Sequence, residues 1–263
     1  MTALEQAFSR KRSRGEKSLL AYLTVGFPDL ETNYRQALEM AARGVTAVEL
    51  GIPFSDPTAD GPVIQAASRR ALERGASLND ALDLAAKIRA RSPVPLLLMG
   101  YLNPFLSLPP AGLHRRLAAA GIDGLIVPDL PPEEAGRLFP AEGSAEVDRI
   151  FLTAPTTPPR RIATIARAAS GFIYCVARTG VTGTSGRLSA ALGAQIALIR
   201  RHSRLPVCIG FGISTRRQLE EAWRLADGGI VGSALIRPFL EERSPGRGLD
   251  RSLKILEKLL SPE

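Results

Sequence analysis

A chain of 263 residues, 45% hydrophobic and 23% charged, is large enough for one α/β domain whose core needs neither disulfides nor a metal. Its net charge of +8 is scattered as Arg pairs (Arg69-Arg70, Arg115-Arg116, Arg160-Arg161, Arg200-Arg201, Arg216-Arg217) without any nucleic-acid motif, so it suits an anionic substrate or solvated helix faces and no nucleic acid is expected. No apolar run approaches a membrane span, Met1 to Lys17 lacks the apolar centre of a secretory signal, and Cys175 and Cys208 sit inside apolar runs as buried free thiols, all of which points to the cytoplasm.

Leu4 and Phe8 are spaced for one face of a short lead-in helix. Ser18 to Val25 is an apolar run closed by Gly26 and Pro28, a buried strand by length and punctuation. A helical pattern covers Asp29 to Arg43 and stops at Gly44. Val45 to Leu50 is a second strand, and the fifteen residues after it hold three Pro, two Gly and four carboxylate or hydroxyl side chains. That density forces a shaped loop, with Glu49 near the strand's end and Asp56 and Asp60 on the loop. Asp is a good turn former, but a carboxylate inside an apolar strand needs a partner or a task.

Helical patterns follow over Ile64 to Arg74 and Leu78 to Arg91. Pro95 to Met99 is a third strand, Gly100 to Pro104 a loop, and Leu113 to Ala120 a helix. Gly124 to Val127 is a fourth strand leading through Pro-Asp-Leu-Pro-Pro into a helix from Glu133. Phe139 to Glu146 shows no pattern; Arg149 to Leu152 is a fifth strand, and a helix runs from Pro158-Pro159 to Ala169. Phe172 to Val176, Pro206 to Ile209 and Gly229 to Val231 are the last three strands, with helices over Leu192 to Arg201, Thr215 to Leu225, from Gly232-Ser233, and over Leu253 to Leu260. Eight continuous apolar strands alternating with helices over this length predict a closed parallel barrel, all of residues 1–263 forming one domain.

Polar and Gly-rich residues gather after the strands, at the C-terminal edge where such barrels do chemistry. Thr182-Gly183, Gly210 to Gly212 and Gly232-Ser233 converge from the late units, and a helix starting at Gly232 would offer N–H groups to a phosphate. The loop Arg178 to Arg187, with three Gly and four Thr or Ser, is either a closing lid or a surface loop. Both histidines, His114 and His202, read as surface residues on helices, no metal-ligand cluster is spaced for a metal, and neither nucleotide-binding glycine motif is present. Acid–base work therefore falls to Glu49 and Asp60, with Asp129 behind them. A carboxyl desolvated at a barrel mouth exchanges protons near neutral pH, and a second in a more polar loop stays ionised. Met99, Ile126, Leu152 and Phe211 are either a pocket for an aromatic group or plain barrel core.

The stretch E-L-G-I-P-F-S-D-P-T-A-D-G-P-V-I-Q (Glu49 to Gln65) resembles the signature segment of the tryptophan synthase alpha chain family. L-M-G-Y-L-N-P (Leu98 to Pro104), V-P-D-L-P-P-E-E (Val127 to Glu134), A-P-T-T-P (Ala154 to Pro158), R-T-G-V-T-G (Arg178 to Gly183), G-F-G-I (Gly210 to Ile213) and V-G-S-A (Val231 to Ala234) are similar to that family's segments in the same order. The resemblance implies a (β/α)8 TIM barrel with an additional N-terminal helix, and retro-aldol cleavage of indole-3-glycerol phosphate to indole and glyceraldehyde 3-phosphate. It implies that Glu49 exchanges protons at indole C3 and the glycerol hydroxyl, and that Asp60 accepts the indole N–H. Tyr22, Met99, Tyr101, Ile126, Leu152, Tyr174, Thr182 and Phe211 would bind the substrate, and Gly183, Gly212, Gly232 and Ser233 its phosphate. Asp56, Asn103 and Pro104 would face a tryptophan synthase beta chain in an α2β2 heterotetramer. No cofactor is implied for this chain; pyridoxal phosphate is expected only in the beta partner. A stand-alone indole producer, another phosphate-binding barrel isomerase and a silent barrel that only activates a partner are the competing readings. The Glu49 and Asp60 pair, which such an isomerase does not need, argues against the second, and intact Glu49, Asp60 and Thr182 argue against the third.

Overall fold

A computed structural model of the protein describes residues 1–139, 147–177, 190–210 and 212–261. Its strands are β1 Ser18–Thr24, β2 Ala47–Gly51, β3 Leu96–Met99, β4 Gly124–Ile126, β5 Asp148–Thr153, β6 Ile173–Val176, β7 Val207–Gly210 and β8 Gly228–Val231. They pair in chain order, all parallel, and close between β8 and β1. All seven residues of β1 and all five of β2 are buried, as strands covered on both faces must be.

The helices are α1 Ala3–Ser13, α2 Leu30–Ala42, α3 Pro62–Leu72, α4 Leu78–Arg89, α5 Leu102–Phe105, α6 Pro110–Ala120, α7 Pro159–Ala168, α8 Ala190–His202, α9 Arg216–Leu225, α10 Ser233–Glu241 and α11 Pro245–Leu260. Capping side chains start several of them: Thr2, Ser77 and Thr215 close capping boxes, and Asp29 caps α2. The lead-in helix α1 covers the N-terminal end of the barrel. Leu4 is fully buried, Phe8 packs 5.8 Å from Phe172, and Thr2 Oγ1 donates a 2.7 Å hydrogen bond to Asp148 at the start of β5. The opposite, C-terminal end is left for a site.

Four expectations are corrected here. The Gly100–Pro104 loop contains a one-turn helix, α5, whose Leu102 N–H is accepted by Asp129 at 2.8 Å. The segment from Glu133 is a 3-10 helix over Pro132–Arg137, not an α-helix. Helix α11 begins at Pro245, eight residues before the apolar pattern starts, under a Ser244 cap. His114 is not a surface residue: it is buried, with Nε2 on the Leu138 carbonyl and its ring edge-on to Phe139.

Candidate active site

Strand register sorts the inward-facing residues. Tyr22, Glu49 and Leu97 are neighbours across β1, β2 and β3, and two residues on, Thr24, Gly51, Met99 and Ile126 form the next level. The ring of Tyr22 lies over Gly51, and that of Tyr174 lies over Gly210. A Cβ at either glycine would collide with the phenol ring, so the two glycines are what let both tyrosines turn into the barrel.

Glu49 is 1% exposed, and neither carboxyl oxygen has a hydrogen-bond partner among the described residues. Burial with nothing to offset it raises its pKa from 4.5 to about 8. A carboxyl in that state holds its proton at neutral pH and can give it to whatever enters. The phenols of Tyr22 and Tyr174 beside it are also pushed up by burial and stay neutral.

Asp60 comes from the loop after β2 and is treated differently by its surroundings. Burial raises its pKa from 3.8 to about 6, and the Tyr101 hydroxyl, donating to Oδ2 at 3.3 Å, acts against that rise. Tyr101 also accepts the Ala59 N–H at 2.8 Å and stacks on Phe54 at 4.9 Å. This ties the β2 loop to the β3 loop. Near neutral pH the two carboxyls are therefore in opposite states, Glu49 protonated and Asp60 ionised.

Both carboxyls line one cavity of about 160 Å³, together with Tyr22, Met99, Tyr174 and Ile230. Gly212, Gly232 and Ser233, the residues expected to take a phosphate, line it too. Gly232 is the N-cap of α10 and makes no side-chain cap, so the first N–H groups of the helix are left for an anion. Gly212 has φ +88°, a left-handed conformation that glycine takes at no steric cost.

Of the residues singled out in the sequence, Tyr22, Glu49, Asp60, Met99, Tyr174, Gly212, Gly232 and Ser233 thus meet at one cavity. Tyr101 supports Asp60 from outside the lining. Ile126 is wholly buried next to Met99, and Leu152 is in register with Tyr174 but borders a separate hollow with Asp129 and Thr157. Asp56 and Asn103 are exposed, and Pro104 is half-buried on α5. Thr182, Gly183 and Phe211, with the loop Arg178 to Arg187, lie outside the described residues. Six lining residues were not singled out: Gly61 to Ile64 at the start of α3, Ile230 on β8, and Arg237, one turn beyond Ser233 on α10. The i, i+4 spacing of Ser233 and Arg237 was the available signal. Among the described residues, no group of three or more His, Cys, Asp or Glu could hold a metal, and no helix is long and apolar enough to cross a membrane.

Two carboxyls and an uncapped helix N-terminus on one largely apolar cavity at the C-terminal end of a barrel fit an enzyme for an anionic substrate with an apolar part. A family model for the tryptophan synthase alpha chain matches residues 8–258. The chain is 47% identical to the tryptophan synthase alpha chain of Chloroflexus aggregans over 99% of its own length and 98% of that protein. It is 45% identical to that of Roseiflexus castenholzii over 98% and 99% of the two chains. Among solved structures it is similar to tryptophan synthase subunit alpha from Legionella pneumophila, with TM-score 0.89 at 33% identity over 99% and 97% of the chains. It is also similar to a chain of tryptophan synthase from M. tuberculosis in its aminoacrylate-bound form, with TM-score 0.87 at 33% identity over 99% and 98%. The chain belongs to the tryptophan synthase alpha chain family.

Proposed function

We propose that the cavity cleaves indole-3-glycerol phosphate to indole and glyceraldehyde 3-phosphate, the alpha-subunit step of tryptophan biosynthesis. The observation that carries the assignment of roles is the buried, unpartnered Glu49 carboxyl sharing one cavity with Asp60. Protonated Glu49 gives its proton to indole C3, which turns the ring into an indoleninium and leaves Glu49 as a carboxylate. Ionised Asp60 accepts the ring N–H, whose positive charge has just developed. The Glu49 carboxylate then takes the proton of the glycerol hydroxyl next to the ring. As that O–H becomes an aldehyde, the carbon–carbon bond breaks and its electron pair returns to the ring. C3 keeps the proton it received, and Glu49 ends protonated as it began. A pKa near 8 suits both directions of transfer.

Tyr22, Met99 and Tyr174 hold the indole, with Ile126, Thr182 and Phe211 assigned to the same pocket by family resemblance; Leu152, which the resemblance also assigns there, borders the separate hollow beside Asp129. Gly183, Gly212, Gly232 and Ser233 take the phosphate. The chemistry needs no cofactor in this chain. The exposed face carrying Asp56, Asn103 and Pro104 docks a beta chain, which holds pyridoxal phosphate, in an α2β2 assembly in the cytoplasm. The stacked Phe54 and Tyr101 rings join the two loops of that face, and Leu106, 48% exposed at the end of α5, offers it an apolar contact. Residues 1–263 act as one barrel domain.

The test is indole release from indole-3-glycerol phosphate by the purified chain, with and without a tryptophan synthase beta chain. Slow release that the beta chain accelerates supports the alpha-subunit role. Fast release without it marks a stand-alone indole producer, and no release in either condition from folded protein refutes the assignment.

A further inference from the structure

The phosphate corner, as assigned above, has no formal positive charge. Gly183, Gly212, Gly232 and Ser233 are neutral, whereas ionised Asp60 biases the same cavity towards negative. A phosphate monoester carries nearly two negative charges at neutral pH, and the N-terminus of a helix offers only about half a positive charge. Arg237 answers this deficit. It lines the cavity and is the one cation to do so among the described residues. It shares a face of α10 with Ser233, four residues earlier, so its stem rises beside the helix end that faces the anion. Other arginines near acidic side chains are paired, as Arg43 is with Glu257 and Arg251 with Glu241. Arg237 has no carboxylate within ion-pair distance among the described residues, and its side chain is exposed at the rim, free to turn inwards.

We propose that Arg237 is the charge-bearing residue of the phosphate subsite, its guanidinium pairing with the phosphate oxygens that the glycine and helix N–H groups leave unpaired. This rests on reading the corner as a phosphate site. Arg237 acts on binding and on selection for phosphorylated substrates, and takes no part in proton transfer. Guanidinium and phosphate match as a two-pronged pair, while Lys at the same place supplies the charge without the fork.

The experiment uses the full chain and its Arg237→Ala, Arg237→Gln and Arg237→Lys variants, with folding checked by thermal melting. Binding of glycerol 3-phosphate and, separately, of indole is titrated, and KM and kcat are measured for indole-3-glycerol phosphate. The Ala and Gln variants are expected to bind glycerol 3-phosphate about tenfold more weakly and to raise KM by a similar factor, with kcat and indole affinity unchanged. Lys recovers most of the loss, and the gap between wild type and Ala narrows as salt rises. Unchanged glycerol 3-phosphate affinity in Arg237→Ala, or an equal loss of indole affinity, overturns the proposal. A wild type that binds no glycerol 3-phosphate removes the phosphate corner and Arg237 with it. A wild type that binds it through Arg237 yet cleaves nothing supports the proposal and refutes only the reaction assigned above.

Discussion

Glu49→Gln should stabilise the protein while silencing it, and the gain should grow with pH. The ordinary pKa of 4.5 applies to the unfolded chain, and burial sets about 8 in the fold. Between those two values the unfolded chain has lost the proton that the folded protein keeps, so the folded state binds more protons. Stability therefore falls as pH rises from about 4.5 to about 8 and is level above that. At about 1.4 kcal/mol per pH unit, the fold loses roughly 3 kcal/mol by pH 7 and roughly 5 kcal/mol above pH 8. Gln has nearly the same shape and does not titrate, so this slope disappears. Its amide is left unpartnered in the same place, at a pH-independent cost of about 1–3 kcal/mol. The variant should thus fall below wild type by up to about 2 kcal/mol at about pH 5, and exceed it by about 2–4 kcal/mol at about pH 8.5. That difference corresponds to a rise in Tm of several degrees at the higher pH, at about 2–4 °C per kcal/mol for a chain of this size. Urea unfolding followed by circular dichroism and by the fluorescence of Trp223, the single tryptophan, gives both curves. All other groups titrate alike in the two proteins and cancel. Stability curves that stay parallel from pH 5 to 8.5 would show that Glu49 is ionised in the fold and would refute the reasoning.

Tyr101→Phe removes the hydroxyl that holds Asp60 ionised, so the Asp60 pKa should rise above its present value of about 6. The acid limb of kcat/KM then moves to higher pH, with the alkaline plateau nearly kept; an unmoved limb would separate Tyr101 from Asp60. Gly210→Ala drives a methyl group into the Tyr174 ring and should cost about 1–3 kcal/mol in unfolding experiments, together with a raised KM. Thr2→Ala loses both the α1 cap and the bond to Asp148, for about 1–2 kcal/mol by thermal melting. Its kcat should be unchanged, because that contact lies at the far end of the barrel from the cavity.

The barrel was legible because each strand is a continuous apolar run between Gly, Pro and polar punctuation, and the observed strand ends differ from the expected ones by no more than two residues. The elements that escaped lack a repeat long enough to read. Helix α5 is a single turn, and the first turn of α11, Pro-Gly-Arg-Gly, has no large apolar side chain before Leu249. His114 looked solvated because Arg115 and Arg116 follow it. Its burial follows from sharing the inward face with Leu113 and Leu117, both fully buried. In the site, residues close in sequence to a strand end were readable, as Glu49 and Met99 were. Tyr101 was placed against substrate, but its hydroxyl is spent on Asp60 and Ala59, a choice that depends on how two loops fold together. Arg237 required a helix to be built before its spacing from Ser233 acquired meaning.

The central claim is that the Glu49 carboxyl moves the proton, and single-turnover indole formation by Glu49→Gln tests it most directly. The variant is first shown to be folded and to bind glycerol 3-phosphate as tightly as wild type. With enzyme in excess over indole-3-glycerol phosphate at neutral pH, the rate should fall by about a thousandfold, the range that loss of a general acid–base group produces. A rate within about tenfold of wild type would place the proton transfer on another group and contradict the account.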